Sequence, residues 1–94
     1  MRRSLVYRVH AIQRMFGRRI TEQEVRDVLD KGAVIEDYPN DTPYPSRLLL
    51  GWSGPRPLHV VTAENAADGE TIVITVYEPE PARWDATFRR RRTP

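Results

Sequence analysis

Ninety-four residues without a cysteine build one domain, 1–94, with one modest core, and exclude both disulfide staples and thiolate zinc sites. Two histidines, His10 and His59, are too few for a histidine-rich metal centre; the chain calls for no metal and no cofactor, and no apolar run is long enough to span a bilayer. The formal charge of +2 hides a segregation: residues 1–21 hold six arginines and no acid, residues 22–85 five basic and thirteen acidic side chains, and residues 86–94 four arginines and no acid.

Taken in chain order, the start is basic but lacks the apolar stretch of a signal peptide. The Arg-rich, acid-free region through Arg19 also fits a transit peptide, yet the same residues supply a helix that the fold needs. Val9–Arg18 reads as that helix, because Ala11, Ile12, Met15 and Phe16 recur at helical spacing. A second helix runs to Lys31, with Thr21 as N-cap, Glu24 completing a capping box, and Ile20 and Val25 forming a hydrophobic staple. Val25, Val28 and Leu29 form its buried stripe and Gly32 ends it as the C′ residue. Four strands are predicted at Ala33–Tyr38, Arg47–Trp52, Leu58–Ala63 and Thr71–Tyr77, joined by Pro- and Gly-containing turns short enough to imply antiparallel hairpins. Pro79 and Pro81 stop the last strand, and Ala82–Phe88 is expected to make a helical turn carrying Trp84. The predicted class is α+β: two N-terminal helices packed on a four-stranded antiparallel sheet.

Fourteen of the fifteen basic residues are arginine, Lys31 being the exception. Guanidinium forks bind phosphate bidentately and stack on bases, so the composition points to a polyanionic partner, nucleic acid being the commonest, or else reflects only a GC-rich genome. The absence of cysteine fits a reducing cytoplasm. Metal-free RNA cleavage needs a base for the 2′-hydroxyl, an acid for the leaving oxygen, and cations for the charge on phosphorus.

His59 lies between Leu58 and Val60 and points opposite to them, either onto a working face or into a satisfied, half-buried niche. His10, Arg14 and Arg18 are spaced four residues apart and project in one direction, as phosphate ligands and an acid–base group or as a solvated helix face. Tyr77 can stack on a base, donate a proton, or pack at an edge with a wet hydroxyl. Glu78 reads as a carboxylate base or as an inert exposed carboxylate before a proline, and Trp84 reads as a core lid rather than a stacking platform. Arg89, Arg90, Arg91 and Arg92 read as a flexible tail that draws in polyanion.

Several motifs recur in order: His10-Ala11-x-x-Arg14-Met15, Arg18-x-Ile20-Thr21-x-x-x-Val25, Val34-Ile35-Glu36-x-Tyr38-Pro39, Arg56-Pro57-Leu58-His59-Val60-Val61 and Thr75-Val76-Tyr77-Glu78-Pro79, followed by Trp84. Over about residues 8–90 they resemble a bacterial domain-of-unknown-function family of small proteins. That family is similar in layout to the RelE- and MqsR-type mRNA interferase toxins. The resemblance implies a RelE-like fold, a toxin–antitoxin pair with a cognate antitoxin as partner, and a metal-independent endoribonuclease. A non-catalytic RNA- or protein-binding module is the alternative. One departure stands out: Arg19 occupies a position where the family often has glycine.

Overall fold

The computed structural model describes residues 4–93. In chain order the elements are β1 (Ser4–Tyr7), α1 (Val9–Arg18), α2 (Glu22–Lys31), β2 (Ala33–Tyr38), β3 (Ser46–Ser53), β4 (Arg56–Asn65) and β5 (Glu70–Tyr77). The sheet order is β1-β5-β4-β3-β2, so the α+β class holds, but the sheet has five strands and is mixed. The four expected strands are antiparallel to one another, whereas β1 adds a parallel pair, from Ser4 opposite Glu70 to Tyr7 opposite Val73. Four residues carry too little periodicity to announce a strand, and the partner of β1 lies at the far end of the chain. Among the described residues no helix is long and apolar enough to cross a membrane.

β1 covers only the first half of β5. The chain then turns straight into α1, with the Arg8 N–H donating to the Val73 carbonyl at 3.0 Å, and α1 packs against β5. This edge position explains a departure from the expected apolar stripe. Ala11 is buried and Met15 packs against the core, but Ile12 stays exposed and Phe16 is 81% exposed.

Arg19 closes α1 in the left-handed region, φ 53° and ψ 47°, where its N–H bonds back to the carbonyls of Met15 and Phe16. The turn is therefore the one that glycine favours, built here with a side chain that strains it. The Arg56 guanidinium covers the same helix end, donating to the carbonyls of Arg18 and of Arg19, the latter at 3.2 Å. Arg19→Gly is expected to raise stability by about 1 kcal/mol, the usual penalty for a non-glycine residue in that region. A urea midpoint that falls in this variant would refute the strain.

α2 obeys its sequence signals closely. The Thr21 hydroxyl accepts from Glu24 N at 3.1 Å, and Glu24 Oε1 accepts from Thr21 N at 2.9 Å. Gly32 departs from expectation: its backbone is extended, φ −71°, so no left-handed cap is made. Its constraint is steric, because a Cβ there would stand 2.4 Å from the Val28 carbonyl and 2.8 Å from the Leu50 carbonyl. Gly51 is equally confined, with Val28 Cγ2 at 2.6 Å from any Cβ. The end of α2 thus rests directly on β3 at these two glycines.

Under the helices, Leu49, Leu58, Val60, Val73 and Val76 of the sheet meet Ala11, Ile20, Val25 and Val28. Alternation places Leu48, Leu50 and His59 on the opposite face, and all three are buried. That second face needs its own cover, and the segment after β5 supplies it.

Candidate functional site

Pro79 and Pro81 end β5, and the chain makes one turn in which Arg83 N and Trp84 N both donate to the Glu80 carbonyl, at 2.9 and 3.2 Å. This single turn is shorter than the helical turn expected over Ala82–Phe88. Asp85 organises the next stretch of chain: its Oδ1 accepts from the Thr87 hydroxyl at 2.8 Å and from the backbone N–H groups of Thr87 and Arg89. The Thr87 hydroxyl, then the backbone donors, hold this exposed carboxyl below the usual aspartate range.

Trp84 packs onto the second face of the sheet and is 3% exposed, as a lid. Arg91 pairs back with Trp84 in an antiparallel bridge, its guanidinium 4.8 Å from the indole centroid and its Nε 3.4 Å from Glu36 Oε1. Arg92 N donates to the Arg83 carbonyl and Arg92 Nε to the Pro81 carbonyl, both at 2.8 Å. Residues expected to form a free tail are thus stitched back onto the turn that precedes them.

Beneath this cover lies His59, with no exposed surface. Its ring meets Trp84 edge-on at 4.4 Å and Tyr77 at 5.2 Å. Nε2 is 2.8 Å from the Phe88 carbonyl and Nδ1 is 3.1 Å from the Tyr77 hydroxyl. Phe88 reaches His59 by adopting φ 60°, and its ring leans against Trp52 at 5.9 Å. Burial, against the opposing pull of the Phe88 carbonyl and of Glu36, pushes the imidazole below its ordinary value, so it is neutral near pH 7. Burial also pushes the Tyr77 phenol up, and the hydroxyl keeps its proton. Of the two environments that the sequence left open for His59, the structure has the satisfied one, in full rather than partial burial.

Tyr77 lines a cleft of about 210 Å³ between α1 and the segment after β5. Four arginines line it: Arg14 and Arg18 from α1, Arg83 from the turn and Arg91 from the returning strand. Glu78 and Glu80 line it too, but each is engaged, Glu78 by Arg56 Nε at 2.8 Å and Glu80 by Arg83 Nε at 3.5 Å. Arg91 is held by Glu36, whereas Arg14 and Arg18 form no ion pair among the described residues and face the cleft with their charge uncompensated.

Of the residues singled out in the sequence, Arg14, Arg18, Tyr77 and Arg91 come together here. His59 joins them only through the Tyr77 hydroxyl. His10 is exposed at the head of α1 and outside the lining of the cleft, as are Arg89, Arg90 and Arg92. Arg83 escaped sequence reading, being an isolated arginine among Glu78, Glu80 and Asp85, and Arg56 was noted only as part of a motif. The Pro-Glu-Pro that brakes β5 was the signal that a turn there could aim Arg83 back at the strand end.

No curated protein and no solved structure matches the chain. A family model matches residues 7–78, a span that holds α1, Tyr77 and Glu78 but stops before Arg83, Trp84 and Arg91. By that match over most of its length, the chain belongs to the family described as Domain of unknown function (DUF4258).

Proposed function

We propose that this chain is an RNA-directed protein of the toxin type, whose arginine cleft binds an RNA phosphodiester and promotes its cleavage without a metal. The observation that carries the reading is the convergence of Arg14, Arg18, Arg83 and Arg91 on one small cleft containing Tyr77. Guanidinium forks are matched to phosphate oxygens, and a pocket walled by protein strengthens each contact relative to water. Arg14 and Arg18 neutralise the charge that builds on phosphorus when a 2′-hydroxyl attacks. Tyr77 handles the attacking hydroxyl, His59 acts behind it, and His10, one turn before Arg14, is the exposed imidazole of the same helix face. The motifs' resemblance to a family similar in layout to the RelE- and MqsR-type interferases supports the same substrate class and implies a cognate antitoxin as protein partner.

One observation favours a second reading, a non-catalytic RNA-binding module: His59 has both ring nitrogens engaged and no route to solvent. One experiment separates the two. Single-stranded RNA is incubated with the protein in EDTA, and products and retained complex are both read. Fragments ending in 2′,3′-cyclic phosphate support the enzyme. Intact but salt-sensitively bound RNA supports the module. RNA that is neither cut nor held eliminates both.

A further inference from the structure

Around Tyr77 the direction of every hydrogen bond is fixed, because the chain of donors ends on a group that cannot donate. The Phe88 carbonyl only accepts, so His59 Nε2, at 2.8 Å, carries the ring proton. His59 is wholly enclosed, and its neutral imidazole has one proton to place, which leaves Nδ1 bare. A bare Nδ1 accepts, so the Tyr77 hydroxyl 3.1 Å away directs its only proton to it. For any further partner in the cleft that Tyr77 lines, the Tyr77 oxygen therefore has lone pairs alone.

That oxygen is an uncommitted acceptor in a pocket dominated by donors. The guanidiniums of Arg14, Arg18, Arg83 and Arg91 cannot accept, Glu78 Oε1 and Glu80 Oε2 are engaged by Arg56 and Arg83, and the other acceptors lining the cleft are the remaining carboxylate oxygens and the Thr75 hydroxyl. A phosphodiester has no proton to offer such an oxygen near neutral pH. A ribonucleotide does, because its 2′-hydroxyl stands on the carbon next to the one bearing the 3′-phosphate, and deoxyribose lacks it.

We propose that the Tyr77 oxygen accepts a hydrogen bond from the ribose 2′-hydroxyl beside the phosphate held by the arginines, so that this cleft distinguishes RNA from DNA. His59 is the positioning residue: its tautomer, set by the Phe88 carbonyl, decides that Tyr77 accepts rather than donates. The inference rests on the phosphodiester reading above and adds the sugar to it.

The test compares three single-stranded oligonucleotides of one sequence, RNA, DNA and 2′-O-methyl RNA, in EDTA and before fragments accumulate. Wild-type protein is expected to bind RNA about five- to tenfold tighter than either of the others, the worth of one net hydrogen bond. The 2′-O-methyl strand keeps an RNA-like sugar but cannot donate, so a preference based on sugar shape would include it. Tyr77→Phe should bring RNA down to the level of DNA while leaving the other two affinities in place, which also shows that the variant is folded. Equal binding of RNA and 2′-O-methyl RNA by wild type, or equal loss for all three ligands in Tyr77→Phe, overturns the inference while the arginine cleft stands. Failure to bind any of the three removes the phosphodiester reading and this inference together.

Discussion

If the cleft acts on RNA as proposed, replacing Arg14 and Arg18 by alanine is expected to abolish that activity while leaving the fold intact. Each side chain is exposed on α1 and free of ion pairs among the described residues, so the cost to stability should stay within about 0.5 kcal/mol. On the proposed mechanism each supplies a donor where charge develops, and losing one such donor costs about 10²–10³-fold in rate. Binding offers an independent readout. If each guanidinium meets one phosphate of a single strand, the double variant flattens the dependence of log K on log salt by about 0.7 per lost contact. Arg26 and Arg47 provide the control, because they sit on another surface, paired with Glu22 at 3.3 Å and with Asp37 at 3.8 Å. Arg26→Ala and Arg47→Ala should change neither rate nor slope. Equal losses in all four single variants would mean that diffuse charge, not the cleft, attracts RNA.

His59→Ala is expected to cost about 3 kcal/mol of stability, the largest effect foreseen for a single side chain outside the helix-side core. The substitution leaves a cavity under Trp84 and strands the Phe88 carbonyl, and an unsatisfied buried group costs about 1–3 kcal/mol. It also unfastens the loop that carries Arg91, so protease should cut within residues 85–92 before the rest unfolds. His59→Gln can still donate at one atom and accept at another, and should recover much of the loss.

Titration gives the sign of a second readout. The folded-state pKa of His59 is lowered from 6.5, mainly by burial. Between that value and the lower folded one, the unfolded chain binds a proton that the native protein refuses. The contribution of His59 is therefore fully present above pH 6.5 and shrinks as the pH falls below it. Below about pH 4.5 the carboxyl of Glu24, held low chiefly by Ser53 and by its capping-box bonds, adds a loss of its own. In His59→Gln the slope just below pH 6.5 should be reduced and the lower one kept. Identical stability–pH curves for wild type and His59→Gln would count against the buried neutral imidazole.

Sequence alone determined the elements whose causes are local. The Thr21–Glu24 box, the staple of Ile20 and Val25, and the β-branched run of β5 each specify structure within a few residues, and all formed where periodicity placed them. The pairing of β2 through β5 was legible as well, since short connections leave antiparallel neighbours little choice. The helix face bearing Arg14 and Arg18 was legible from their four-residue spacing.

Partners far apart in the chain settle the features that only the tertiary structure decided. β1 exists because the edge of β5 accepts it, and Ile12 and Phe16 are exposed because α1 lies at that edge. Gly32 and Gly51 are demanded by the contact of α2 with β3, which no local pattern encodes. The cleft has the same origin. Arg83 and Arg91 reach Arg14 and Arg18 only because Pro79 and Pro81 turn the chain back and Trp84, His59 and Glu36 anchor its return. A histidine on a strand can serve a cleft or fill a core, and its place in the sequence fits both. The burial of His59 under Trp84, with an acceptor on one side and a phenol on the other, made it the support of the site rather than its surface.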